Sequence, residues 1–316
     1  MRAFLFPGQG SQAVGMGKAL CVEFPRAREV FAAADDALGF GLSVLCFAGP
    51  EADLKLTANT QPAILTTSVA VLRVLEAETG LTPDVVAGHS LGEYSALVGA
   101  GALRFADAVR LTRLRGEAMQ QAVPAGQGAM AAVMGAAPEV LEEACREAAQ
   151  GQVVSPANFN GGGQIVIAGD QAAVDRALAI LKAKGVRRAI PLPVSAPFHC
   201  ALMQPAARRV DEALAAVEVG PLAVPVVSNV EAEPNTDAAR VRELLVRQVT
   251  SPVRWEASVQ RLAAMGVTEA LEVGPGAVLA GLVKRIAATI TVRSVAEPAQ
   301  VREIAGTGTG TSTGTG

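Results

Sequence analysis

Residues 84–101 read DVVAGHSLGEYSALVGAG. A strand-like apolar run (84–88) meets Gly88-His89-Ser90-Leu91-Gly92, and a helix-like run (93–101) follows. G-x-S-x-G between a strand and a helix is the sequence form of a nucleophile elbow. A sharp strand-to-helix turn leaves no room for side chains beside its central residue, and Gly88 and Gly92 provide that room. Ser90 is then exposed at the helix N-terminus, where the N–H of Leu91 and the positive helix end favour an oxyanion. The competing reading is an ordinary Gly-rich turn without chemistry.

Outward from the elbow, strands and helices alternate. Residues 2–6 read as a buried strand stopped by Pro7-Gly8, and a Gly-rich loop to Gly17 precedes helical pattern to about Leu38. Residues 61–79 and 105–122 read as helices, and the first has Gly80 as its stop. Beyond Pro124 the pattern changes to strand 128–135, helix 138–149, extended 152–158, strand 164–169, helix 171–184 and strand 186–192. This β-α-β-β-α-β order is that of a ferredoxin-like module. Strand 222–229, helices 238–249 and 255–265, strand 268–273, helix 278–286 and strand 289–295 then resume the alternation. The expected fold is α/β. A hydrolase-like, parallel-sheet large domain is made of 1–125 and 195–300. A ferredoxin-like small subdomain, 126–194, is inserted in it. Residues 306–316 form a low-complexity tail excluded from the fold.

A serine nucleophile needs a base. The chain has only two histidines, His89 and His199. His89 adjoins Ser90 on a tight turn and points away from it, so His199 is the candidate by elimination. On the helix 105–122, plotted at ~100° per residue, Arg115 falls within the apolar face. A buried guanidinium must meet an anion, since an unpaired buried charge costs several kcal/mol. That anion is either an internal carboxylate or a substrate carboxylate held by the planar fork.

The 316 residues are 50% hydrophobic and 18% charged, with net charge −3 and 3% aromatics. This composition supports a sizeable core and excludes disorder. It lacks the basic excess and stacking aromatics of a nucleic-acid binder. Cysteines 21, 46, 145 and 200 form neither a CxxC pair nor a disulfide framework. With so few histidines no metal site is expected. No signal peptide and no membrane span are read, so a cytoplasmic protein is expected. Gly8-Gln-Gly10-Ser-Gln-Ala13 after a strand is a weak dinucleotide fingerprint, without the acid-ended second strand it requires. Lys182, Lys184, Arg187 and Arg188 read first as a solvated helix end, with docking of an acidic partner as the alternative.

LFPGQGSQ (5–12), GHSLGEYSALVGAGAL (88–103), the Arg115-Gly116-Glu-Ala-Met119 segment, AGD (168–170), SAPFH (195–199) and Gln248…Pro252-Val253 together resemble the malonyl-CoA:acyl carrier protein transacylases. The resemblance covers about 1–295. It implies Ser90 as acyl nucleophile and His199 as base. It implies an oxyanion hole from the N–H groups of Gln9 and Leu91, and Arg115 as the grip on the malonyl carboxylate. Gln248 would orient His199 through its backbone carbonyl, so no triad Asp is needed. Phe198 is similar to the residue of malonyl-selecting members. The partners implied are malonyl-CoA and an acyl carrier protein, with no metal or other cofactor, and the setting is fatty-acid synthesis. The rival readings are a serine hydrolase or thioesterase using water, and a non-catalytic carrier or coenzyme A binding module.

Overall fold

Strand β1 (Arg2–Phe6) is enclosed over all but its first residue, with Ala3, Phe4, Leu5 and Phe6 all 0% exposed. Its side chains alternate between two cores. Phe4 and Phe6 enter one with Val86, whereas Ala3 and Leu5 enter the other with Val85 and Ala87. A strand apolar on both faces belongs inside a parallel sheet covered on both sides. In the computed structural model, which describes residues 1–194 and 196–308, β1 lies inside a six-stranded sheet.

Five helices follow β1: α1 (Lys18–Glu23), α2 (Pro25–Leu38), α3 (Leu42–Ala48), α4 (Glu51–Leu54) and α5 (Thr57–Thr79). Then come β2 (Val85–Gly88), α6 (Gly92–Gly99) and α7 (Phe105–Gln121). The next segment is β3 (Gly128–Met134), α8 (Pro138–Ala149), β4 (Val154–Gly161), β5 (Gln164–Asp170), α9 (Gln171–Ala183) and β6 (Arg188–Pro191). The chain closes with α10 (Gln204–Ala215), β7 (Val226–Val227), β8 (Pro234–Asn235), α11 (Ala238–Thr250), α12 (Trp255–Ala264), β9 (Glu269–Val273), α13 (Val278–Ile286), β10 (Thr291–Val295) and α14 (Pro298–Gly308).

The large sheet runs β10-β9-β1-β2-β7-β8 and is parallel except for the β7–β8 pair. A separate antiparallel sheet runs β4-β5-β3-β6, with α8 and α9 packed on it through Leu141, Cys145, Val174 and Leu181. The small sheet touches the rest of the chain where Asn158 of β4 bridges Val253, in the link between α11 and α12, and the Phe159 N–H donates to the Val253 carbonyl at 2.9 Å. Among the described residues no helix is long and apolar enough to cross a membrane.

Several expectations need correction. The strand over 222–229 shrinks to Val226–Val227, because Pro225 interrupts it and proline has no N–H to donate to a ladder. Helices α3, α4 and α10 carry no earlier expectation. Two of them are short, and the buried stripe of α10 rests on Ala206, Ala207, Val210 and Leu214, half of it the smallest apolar side chain. The tail expected over 306–316 begins too early, since α14 continues to Gly308 with Val301 and Ile304 buried. The rest of that tail and Ser195 lie outside the described residues.

Candidate active site

The elbow is built by close approach of backbones. A Cβ on Gly88 would lie 2.0 Å from the Gly92 carbonyl, and one on Gly92 would lie 2.1 Å from the Phe6 carbonyl oxygen at the end of β1. Both positions therefore require glycine. Ser90 takes φ 51°, a left-handed conformation uncommon for a residue with a side chain. Two hydrogen bonds from the loop after β7 hold it there. The Ser90 N–H donates to Asn229 Oδ1 at 2.7 Å, and Asn229 Nδ2 donates to the Gly88 carbonyl at 2.7 Å.

His199 follows β6 in a loop and also has a left-handed backbone, with φ 59°. Its Nε2 lies 2.7 Å from Ser90 Oγ across 109 residues of sequence, and its Nδ1 lies 2.8 Å from the Gln248 carbonyl oxygen. A carbonyl oxygen only accepts, so Nδ1 carries the ring proton. Nε2 is then bare and can accept from the serine hydroxyl. Burial first, and the positive charge of Arg115 second, push the imidazole down to about 3, which keeps it neutral.

Arg115 is 1% exposed. Its Nη1 donates to Gln61 Oε1 at 2.8 Å, and its Nη2 donates to Gln248 Oε1 at 2.8 Å and to Ser90 Oγ at 3.2 Å. Its guanidinium sits 5.6 Å from the centre of the Tyr94 ring. Among the described residues it forms no ion pair, and its Nε has no partner. The internal carboxylate weighed from sequence is therefore not in direct contact with it; Glu93 reaches it only through the Gln248 amide. Amide oxygens, a hydroxyl and an aromatic face surround the charge, and the cleft runs alongside it.

That cleft measures about 500 Å³ and includes Ser90, His199 and Arg115 in its wall. Met119, Met130, Leu192 and Phe198 supply an apolar side, and Gln9, Gln61 and Lys55 a polar one. The loop bearing Gln9 lies against the elbow, because a Cβ on Gly8 would come within 2.4 Å of the His89 carbonyl oxygen. Gln9 Nε2 donates to Thr57 Oγ1 at 3.3 Å. Leu91 caps α6, at a helix end where the first N–H groups have no partner within the helix. The loop of the weak dinucleotide fingerprint thus lines this cleft. His89 turns toward the small sheet, with Nε2 2.9 Å from Asn160 Oδ1. In the basic cluster, Lys184 is paired with Glu143 at 2.8 Å.

Sequence reasoning missed Asn229, Gln61 and Glu93. Glu93, in the first turn of α6, is only 2% exposed, and its Oε2 accepts from Gln248 Nε2 at 2.7 Å and from the Asn229 N–H at 3.1 Å. A carboxylate inside the apolar run EYSALVG was the available signal.

The chain matches the acyl transferase domain family over residues 3–311. It is 53% identical over 297 residues to a malonyl CoA-acyl carrier protein transacylase of Salmonella typhimurium, covering 94% of this chain and 96% of that one. It is 51% identical over 297 residues to the enzyme of that name from Bacillus subtilis, with 94% and 93% covered. A crystal structure of an acyl carrier protein S-malonyltransferase from Vibrio cholerae superposes with a TM-score of 0.94 at 49% identity, covering 96% of this chain and 99% of that one. A complex of a type II polyketide acyl-carrier protein with its malonyl-transacylase gives 0.94 at 48% identity, with 97% and 99% covered. Agreement at this level along nearly the whole length shows that the chain belongs to the malonyl CoA-acyl carrier protein transacylases of the acyl transferase domain family.

Proposed function

We propose that this protein moves a malonyl group from malonyl-CoA to the thiol of an acyl carrier protein through a malonyl-serine intermediate, supplying fatty-acid synthesis. The observation that carries the reading is the contact of Ser90 Oγ with both His199 Nε2 at 2.7 Å and Arg115 Nη2 at 3.2 Å. It joins a nucleophile, a neutral base and a cation within reach of a three-carbon acyl group. Ser90 Oγ attacks the thioester carbonyl while His199 Nε2 takes its proton. The N–H groups of Gln9 and Leu91 stabilise the oxyanion, and His199 returns the proton to the departing coenzyme A thiolate. The carrier thiol then gives its proton to His199 and attacks the serine ester, and His199 passes that proton to the departing Ser90 Oγ. The two half-reactions make the kinetics ping-pong. Gln248 fixes the His199 tautomer through its carbonyl, in the place a triad carboxylate usually takes. Arg115 receives the malonyl carboxylate.

The same proposal reads the large sheet and its helices as a hydrolase-like catalytic domain formed by 1–125 and 195–300. The β-α-β-β-α-β segment within 126–194 is read as an inserted ferredoxin-like subdomain.

Two measurements test the base. His199→Ala is expected to slow acylation by malonyl-CoA and deacylation by the carrier alike, by about 10²–10⁴-fold each. Slowing of the carrier step alone would remove His199 from the base role. The base form exists above the folded-state pKa and is lost only as pH falls through it. With His199 held at about 3, kcat/KM for malonyl-CoA is expected to show no acid limb near the ordinary histidine value of 6.5. A limb there that vanishes in His199→Ala would contradict the buried, neutral base.

A further inference from the structure

Arg115 and Glu93 are the two ends of one amide bridge. Gln248 Oε1 accepts from Arg115 Nη2 at 2.8 Å, and Gln248 Nε2 donates to Glu93 Oε2 at 2.7 Å. The same Nε2 donates to the Ser90 carbonyl at 2.9 Å, so the bridge is tied to the elbow. Of the groups around Glu93, α7 presents Arg115 and α6 presents Tyr94, whose buried phenol is pushed up to about 12 and stays neutral. The strand β7 and the loop after it present Val226, Ser228 and Asn229, and α11 presents Val241, Leu244 and Gln248, all uncharged. His199 touches the bridge only at the Gln248 carbonyl.

We propose that Glu93 is the resident countercharge of Arg115, a positioning residue that competes through Gln248 with the carboxylate of the incoming acyl group and takes up a proton when that group is loaded. The inference rests on the malonyl-transfer reading. Without substrate, one guanidinium and one carboxylate share a buried network. A malonyl carboxylate adds a second anion to it. An excess buried charge is relieved by protonating the weaker acid. Burial has already raised Glu93 to about 7 against the pull of Gln248, Asn229 and Arg115, whereas the malonyl carboxylate is an ordinary, stronger acid. Uptake of a proton ties affinity to pH, so KM for malonyl-CoA rises as pH climbs above neutral, by at most about tenfold per unit. Acetyl-CoA brings no carboxylate and has no such dependence.

The test is titration calorimetry of malonyl-CoA into the full-length Ser90→Ala chain, which binds without acylation, in buffers of different ionisation enthalpy. The expected result is uptake of roughly half a proton at pH 7, with none for acetyl-CoA. Uptake is expected to persist when His199→Ala is added and to disappear when Glu93→Gln is added. Uptake lost with His199→Ala, or kept with Glu93→Gln, overturns the assignment. The His199→Ala arm decides even if the Glu93 variant does not fold. Clear binding of malonyl-CoA with buffer-independent heat overturns this inference alone. No binding of malonyl-CoA overturns it together with the proposed function.

Discussion

Arg115→Ala is expected to invert the acyl selectivity of the enzyme. In the proposed role, loss of the fork removes a charge-assisted contact to the malonyl carboxylate, and the transition-state binding read from kcat/KM for malonyl-CoA should weaken by on the order of 2–5 kcal/mol, the range for truncating one partner of a buried charge pair. Acetyl-CoA has no carboxylate to leave stranded in the emptied pocket, so its kcat/KM should fall little or rise. The variant also loses the Gln61 and Gln248 hydrogen bonds and the Tyr94 stack, so a lower melting temperature is expected as well. Selectivity separates the two roles. A merely structural Arg115 would depress both substrates by the same factor. Arg115→Lys should recover only part of the malonyl rate, because an ammonium keeps the charge and loses the planar fork.

The second large effect concerns the nucleophile. Ser90→Ala is expected to lower malonyl transfer by about 10⁴-fold or more, the scale seen when a serine nucleophile is removed from an enzyme that acts through a covalent intermediate. The fold should survive. The Ser90 hydroxyl lies outside the hydrophobic clusters, and its backbone is held through its N–H by Asn229 and through its carbonyl by Gln248. Arg115 keeps its bonds to Gln61 and Gln248 without it. An unchanged melting temperature with transfer lost is the expected pair of results. Transfer within tenfold of the parent would move the chemistry to another residue.

How much of this was legible in the sequence depends on how local each signal is. The elbow is local: a strand, two glycines at fixed spacing and a helix fit in 18 residues, and the clash distances at Gly88 and Gly92 show why the spacing is obligatory. Arg115 was legible through helical periodicity, which put a charge on the apolar side of α7. The pairing of His199 with Ser90 spans 109 residues and could be reached only because the chain has so few histidines. Gln9 and Gln248 came through family resemblance. A backbone carbonyl acting on a histidine leaves no trace in residue types, since any residue supplies one. Asn229 and Gln61 were not legible for a related reason, and Glu93 showed only as a carboxylate inside an apolar run. Each is a common polar residue whose meaning arises when distant loops and helices close around Ser90. The strand at β7 was read too long and α10 was missed because proline and alanine blur the apolar pattern on which strand and helix reading rests.

In the proposed reaction malonyl becomes covalently attached to Ser90 and leaves to a carrier thiol. Intact-mass spectrometry of the full-length protein after brief exposure to malonyl-CoA tests it most directly. A single added malonyl group that maps to the peptide containing Ser90 is expected. It should persist in buffer and disappear when acyl carrier protein is added, with malonylated carrier formed in step. No adduct on the parent protein, or an adduct of equal yield on Ser90→Ala, would contradict it.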